Sequence, residues 1–315
     1  MCMLLRSNHM QPIEPAYDPV NICCACNEKY AFPLAVCLYS LLVNGNKHRC
    51  YDIIVLHSAV SSVALEPVER LAVLFSNCTI RFVDMMDFRE QVKNAEHSYI
   101  TAETNYRLAI LGELFGRYDR MLYLDCDTVV EDDISRLFDT DLKGNAVGGA
   151  PGVDIRMLRF NKKGFFIDDR PSNIEDYLRN ILGIREPDRY FNAGVLLFDL
   201  KKCREFTSEH EAVELLNRRK LMYNDQDVLN VLFADRIYSL DIRWNYTVNI
   251  EHGVVFHDPK IAGFMSEFHR EEYGIIHYTG GNKPWNDKVP LWEHYHKYEK
   301  ELLEVITCHQ AEKIR

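Results

Sequence analysis

Asp125 and Asp127 stand one residue apart at the end of a short apolar run, Arg-Met-Leu-Tyr-Leu-Asp-Cys-Asp-Thr over 120–128. In an extended backbone alternate side chains share a face, so both carboxylates can address one hard cation where the strand leaves its sheet. Such an arrangement suits an enzyme that holds a diphosphate through a metal. Asp139/Asp141 and Asp225/Asp227 repeat the spacing without the setting, and Thr140, Lys143 and Gly144 mark the former as an exposed turn. A second cluster, His-Tyr-Thr-Gly-Gly-Asn-Lys-Pro-Trp over 277–285, follows a short apolar strand at 274–276. It brings together a metal-capable imidazole, glycines that let backbone N–H groups approach an anion, and the Lys283 ammonium. Those are the parts that complete a cation's shell and clamp a diphosphate.

These residues need elements to position them. Strand-like runs at 21–26, 51–57, 79–83 and 120–124 alternate with helix-like runs at 31–43, 62–75 and 104–115. That order predicts a parallel α/β sheet with covering helices. Ligands of such sheets sit beyond the carboxyl ends of the strands, the edge that would carry both the turn at 27–30 and the acid pair. From 151 to 189 the pattern is irregular, with Arg156, Arg159, Lys162, Lys163 and Arg170 interleaved with Phe160, Phe165 and Phe166. It reads either as a lid over the site or as a solvated excursion packing a few aromatics. A strand at 190–199, an amphipathic helix at 203–217 and a helix opening near Asn224 follow, the last started by side chains that bond free N–H groups. Residues 1–20 read as a loose extension, 21–292 as one catalytic domain and 293–315 as a helical tail.

Composition narrows the function. A chain of 315 residues, 47 % hydrophobic and 27 % charged, is an ordinary soluble globular protein with a large core. The net charge of −10 argues against nucleic-acid binding, which needs Lys and Arg in excess. The apolar stretch 31–43 contains Pro33, Tyr39 and Ser40 and is shorter than a membrane span of roughly 20 residues. Without a secretory signal in the first 20 residues, the expected location is the cytoplasm. Ten cysteines, mostly inside apolar runs, are expected as reduced thiols, and the Cys23-x-x-Cys26 spacing reads as a strand end and not as a redox or zinc site. Neither a G-x-G-x-x-G fingerprint after the first strand nor a P-loop is present, so a nucleotide needs another cradle.

Four segments, Tyr-Leu-Asp-Cys-Asp-Thr, Phe-Asn-Ala-Gly-Val, Asn-Asp-Gln-Asp-Val-Leu-Asn and His-Tyr-x-Gly-x-x-Lys-Pro-Trp, occur in this order. Together they resemble the family 8 glycosyltransferases, the retaining group that includes bacterial lipopolysaccharide galactosyl- and glucosyltransferases and glycogenin. The likeness runs from about Asn21 to Trp292. Each motif alone is weak, whereas four in register are highly specific. The resemblance implies a GT-A fold, a central mixed sheet flanked by helices, with a donor half at about 21–150 and an acceptor half and lid at about 151–292. It implies Mn²⁺ or Mg²⁺ held by Asp125, Asp127 and His277, and a UDP-sugar whose diphosphate meets Gly280 and Lys283. The uridine would lie against Ala25, Asn27 and Tyr30, with Cys126 in the same donor set and Arg107 at the donor phosphate or sugar. Asn192 with Ala193, and Asp225 with Gln226, would line the donor sugar.

One departure stands out: close relatives often offer the uracil N–H an acid from the first-strand loop, where this chain has Cys26-Asn27-Glu28-Lys29. The amide oxygen of Asn27 is expected to accept that bond instead. The implied reaction moves galactose or glucose to a hydroxyl of a saccharide or glycolipid with retention. Gln226 is a poor nucleophile and Asp227 the nearby acid, so attack from the leaving-group face is preferred over a glycosyl intermediate on Asp227. A nucleotide-sugar hydrolase and a non-catalytic binding protein remain alternatives, while a two-metal phosphohydrolase wants a denser ligand set. Residues 286–315 balance five Lys/Arg against six Asp/Glu, which leaves at most peripheral contact with the inner face of a membrane.

Overall fold

Buried, β-rich runs build the centre of the molecule. In the computed structural model, which describes residues 3–5, 11–16, 19–92, 102–161, 164–167, 170–218, 221–254 and 259–313, the strands are β1 (Met3–Leu5), β2 (Val20–Cys26), β3 (Tyr51–His57), β4 (Cys78–Asp84), β5 (Arg120–Leu124), β6 (Thr128–Val130) and β7 (Val147–Pro151). β8 (Gly164–Ile167), β9 (Arg170–Asn173), β10 (Phe191–Asp199), β11 (Ile237–Ser239), β12 (Tyr246–Thr247) and β13 (Ile275–His277) complete them. The main sheet has eight strands in the order β1-β4-β3-β2-β5-β10-β7-β11. From β1 to β5 neighbours run parallel, but β10 is antiparallel to both β5 and β7, so the sheet is mixed as the resemblance implied. The expected loose N-terminal extension instead contributes an edge strand, with Met3 opposite Arg81.

Alternation along the strands fills two apolar layers. Ile22, Cys24, Leu122 and Leu124 face one, Cys23, Ala25, Met121 and Tyr123 the other. The first layer is covered by the helix Ala31–Asn44, apolar all round because it packs on the helix Ser62–Leu74, on β6 and on the long C-terminal helix Trp292–Lys313. A 3-10 turn, Glu28–Tyr30, leads into this helix and is capped by Asn27, whose Oδ1 accepts from Lys29 N at 3.1 Å and Tyr30 N at 3.2 Å.

Two helical expectations need correction. The run at 104–115 winds as tighter turns, Ala102–Leu111 and Glu113–Phe115, broken by an extended Gly112 against which the Glu209 side chain packs. With three residues per turn, Thr104 and Arg107 fall on one row. The helix expected at 203–217 is two: Leu200–Cys203, then Glu209–Arg218. Ser208 restarts it, its Oγ accepting from Glu211 N at 3.3 Å while the Glu211 carboxylate accepts from Ser208 N at 3.2 Å, a reciprocal cap that a periodicity reading passes over.

The segment at 151–189 is built of defined elements and its first helix lines the cavity described below. It holds the helix Val153–Phe160, the β8–β9 hairpin and short helical turns. Arg159 pairs with Glu175 at 2.6 Å and Asp188 at 2.5 Å, and Arg156 bonds the Asp188 carbonyl, so these cations serve the segment itself. Lys162 and Lys163 lie outside the described residues.

A buried ion pair ties the parallel half together. Asp52, fully buried on β3, is bonded by Arg81 of β4 and by the Tyr118 hydroxyl at 3.0 Å. Arg81→Ala leaves that carboxylate with one strong donor, and equilibrium urea unfolding should register a loss of about 3–5 kcal/mol.

Candidate active site

Two sheets meet at the carboxyl edge of β5. Asp125 follows β5 directly, and its N–H bonds Gly194 O at 2.8 Å, extending the pairing with β10. After Asp127 the chain enters β6, which pairs antiparallel with β13 so that His277 sits opposite Thr128. This register carries a residue 150 positions away to the acid pair. His277 Nε2 lies 3.3 Å from Asp127 Oδ1 and 3.8 Å from Asp125 Oδ2. Ligand atoms of Asp125, Asp127 and His277 all fall within 4.8 Å of one another, and among the described residues they form the one such group of three.

The hydrogen bonds around His277 determine its tautomer. Asn192 Oδ1 accepts from Gly194 N at 2.8 Å, so the Asn245 group facing it at 2.9 Å must be the donating NH₂. Asn245 Oδ1 therefore faces His277 Nδ1 at 2.8 Å and takes its proton. Nε2 is left as a lone pair aimed at the two acids, the form a metal ligand requires. Gly194 leaves room for the ring, since a Cβ there would stand 2.1 Å from His277 Cε1. Two carboxylates and an imidazole make a hard donor set that fits Mn²⁺ or Mg²⁺.

Two buried cations balance the acids. Arg107, 2 % exposed, places NH2 3.0 Å from Asp125 Oδ1 and Nε 2.7 Å from Asp225 Oδ2, and NH1 bonds Ala193 O. Burial alone would lower its affinity for a proton, but Asp125 and Asp225 reverse that and raise it. Lys283 Nζ lies 2.5 Å from Asp127 Oδ2 and donates to Tyr278 O at 2.7 Å. Burial pushes the Asp127 carboxyl up, and opposing charge, the Lys283 ammonium foremost, holds it well below the usual carboxylate range. For Asp225, burial outweighs Arg107 and its carboxyl is pushed up to about 7.

All these groups open into a cavity of about 420 Å³, a size typical of small-molecule sites. Ala25, Asn27, Tyr30, Arg107, Asp125, Cys126, Asp127, Asn192, Asp225, Gln226, His277, Gly280 and Lys283 all line it. Gly280 has φ +87° and open space on its Cβ side, which suits a backbone that approaches a ligand. The Cys126 thiol donates to Ala25 O at 2.8 Å and burial raises its pKa far up, so it is structural. Ala193 contributes backbone alone: its N–H donates to Gln226 Oε1 at 2.9 Å and its carbonyl accepts from Arg107.

Asp227 is placed elsewhere. Its carboxylate is fully buried behind the cavity wall, accepting from Tyr177 OH at 2.5 Å, Tyr190 OH at 2.7 Å and Tyr223 N at 2.8 Å. The helix Asn224–Leu232 turns consecutive residues by about 100°, so Asp225 and Asp227 leave on different faces. As a nucleophile Asp227 is therefore withdrawn. Asn27 also differs from expectation, because its amide oxygen is committed to the cap of the following turn.

Several contributors escaped the sequence reading. Asn245 orients His277 with no local signal beyond being an asparagine in a buried 3-10 turn. Asp154 lines the cavity from the helix Val153–Phe160 and is held by Asn249 Nδ2 at 3.0 Å, which also reaches Thr279 Oγ1 at 3.1 Å. Glu103 is a buried carboxylate of the same lining.

Comparison with known proteins agrees with this geometry. The family described as Glycosyl transferase family 8 matches residues 21–289. General stress protein A of Bacillus subtilis is 25 % identical over 288 residues, covering 89 % of this chain and 92 % of that protein. Among solved structures, the bifunctional glycosyltransferase WbbM superposes with a TM-score of 0.80 at 28 % identity over 93 % of this chain, which spans about half (53 %) of WbbM. The galactosyltransferase LgtC in complex with donor and acceptor sugar analogues gives a TM-score of 0.69 at 26 % identity, covering 89 % of this chain and 95 % of that one.

Asn245→Leu removes the acceptor that fixes the His277 tautomer, and Mn²⁺ affinity by isothermal titration calorimetry should fall about 10- to 100-fold. Gly194→Ala should abolish the same binding isotherm, with far-ultraviolet circular dichroism unchanged.

Proposed function

The chain belongs to glycosyl transferase family 8, and from that premise we propose that it moves a hexose, galactose or glucose, from a UDP-sugar to a hydroxyl of a saccharide or glycolipid in a divalent-metal-dependent reaction with retention. The observation that carries this reading is the convergence of Asp125, Asp127 and His277 on one point of a cavity that also contains Lys283 and Gly280. Bound there, Mn²⁺ or Mg²⁺ would supply Lewis acidity to the leaving diphosphate.

The protein's own groups do the rest. Lys283 is already directed at this point through Asp127, and backbone around Gly280 is open enough to present N–H groups to the departing phosphates. Arg107 holds Asp125 and Asp225 in place and is buried too deeply to act as a mobile phosphate clamp. Gln226 lines the sugar side, its oxygen held by Ala193 N and its NH₂ by Tyr190 OH at 3.1 Å, so it positions the donor without attacking it. The acid that lines this side, Asp225, is ion-paired to Arg107. This favours attack on the face the leaving group vacates, a donor phosphate oxygen taking the acceptor proton. Free thiols at nine described cysteines fit a reducing compartment, and we place the enzyme in the cytoplasm. No helix among the described residues is long and apolar enough to cross a membrane.

Screening UDP-sugars for Mn²⁺-dependent UDP release, with and without saccharide acceptors, tests the reading. Acceptor-stimulated release supports transfer, and release indifferent to every acceptor points to hydrolysis. Asp125→Ala should lower turnover about 100- to 1000-fold at saturating Mn²⁺. Near-normal turnover in this variant would remove the metal assignment.

A further inference from the structure

One wall of the cavity carries a carboxylate that the proposed transfer does not use. Glu103, 7 % exposed, lines the cavity beside Ala25, Cys26, Asn27 and Tyr30, the turn that ends β2. It comes from a different element, the 3-10 segment Ala102–Leu111. The turn itself has little left to accept with. Asn27 Oδ1 already receives the N–H groups of Lys29 and Tyr30, and Ala25 O receives the Cys126 thiol. Asn27 Nδ2 instead donates to Glu103 Oε2 at 3.3 Å, and Arg89 NH1 donates to Oε1 at 3.3 Å. An ionised carboxylate offers about four acceptor positions, so Glu103 keeps capacity while its two donors fix its orientation.

Resting on the UDP-sugar reading, we propose that Glu103 is the residue that selects the donor's base, its carboxylate accepting the ring N3–H of uracil. Uracil presents that single donor between two carbonyl oxygens. Cytosine presents a lone pair at the same ring position, which a carboxylate repels. Asn27 Nδ2 has a second hydrogen for one of the flanking uracil carbonyls, so the pair reads donor and acceptor together. The anion is placed before the ligand arrives, and a site built to bond an N–H discriminates strongly against an analogue that lacks it.

Nucleoside diphosphates carry the base and the diphosphate without the sugar, so UDP and CDP titrated calorimetrically in Mn²⁺ isolate this contact. Wild-type protein should prefer UDP by about 100-fold or more. Glu103→Gln keeps the length and an amide oxygen for Asn27 but gains an NH₂ that can donate to cytosine N3, and the UDP:CDP ratio should narrow by about tenfold or more. Glu103→Asp, which keeps the charge, should retain preference for UDP. A ratio unchanged in Glu103→Gln, including equal weakening of both nucleotides, would overturn the proposal, because a carboxylate serving only to anchor Asn27 and Arg89 behaves that way. Wild-type protein that binds CDP as tightly as UDP would overturn it too, with the diphosphate cradle intact. Binding of neither nucleotide in Mn²⁺ would instead sink the donor reading beneath it.

Discussion

Gathering carboxylates at the edge of a buried sheet is electrostatically unfavourable, and the architecture around β5 is organised by the need to offset it. Asp125, Asp127 and Asp225 face one cavity, where two cations stand among them, Arg107 between Asp125 and Asp225 and Lys283 on Asp127. Removing a charge from water costs several kcal/mol per ion unless a well-aligned partner returns it. Each pairing spans elements distant in the chain, so the charges hold the fold's parts in register. Arg107 ties the 3-10 segment to the end of β5, to β10 and to the helix Asn224–Leu232. Lys283 ties the glycine loop to the residue between β5 and β6.

The cations differ in what they can later release. Arg107 uses all three of its nitrogens in a fixed fork and is stacked 4.6 Å from the Tyr123 ring, an arrangement in which a guanidinium is hard to replace. Lys283 is a point charge on a flexible stem, held by one carboxylate and one carbonyl. A lysine ammonium can swing from a carboxylate to a phosphate oxygen without rebuilding its surroundings. The rigid cation therefore shapes the site, and the mobile one is suited to follow charge as it moves to the leaving group.

What the sequence made legible follows the range of the interactions. The strands at 51–57 and 120–124 and the helix beginning at Asn224 lie where their local patterns put them, since periodicity is a property of neighbours in the chain, but the side-chain cap expected at that helix is absent, because Tyr223 stands at its start and makes no side-chain cap bond. The site residues Asp125, Asp127, His277 and Lys283 were legible because their motifs carry unusual residue types close together. Direction within a motif was not. Asp225 and Asp227 share one motif, yet helical rotation sends the first to the cavity and the second to two tyrosine hydroxyls. Asn245 and Glu103 belong to no motif, and they matter only because the pairing of β12 with β13 and the 3-10 segment Ala102–Leu111 bring them to His277 and Asn27. Of the small sheet β12-β13-β6 only β13 showed in the sequence, as the short run at 274–276; β12 and β6 are two or three residues long and are defined by pairing, not by pattern.

The two sides of the cavity are built from different materials, and this bears on which property of the enzyme is free to vary. The side formed by β2, β5 and β10 consists of sheet edge, where backbone pairing and buried charge over-determine each side chain. The lining also includes Gly152 and, from the helix Val153–Phe160, Asp154, Ile155, Met157 and Leu158; this helix packs on the short helix Pro259–Ser266 through the stacked rings of Phe160 and Phe264, 4.6 Å apart. Phe160 is 44 % exposed, and surface contacts of this kind accept substitution with small changes in stability. A wall whose residues are held mainly by side-chain packing can change shape without disturbing the acids and cations facing it.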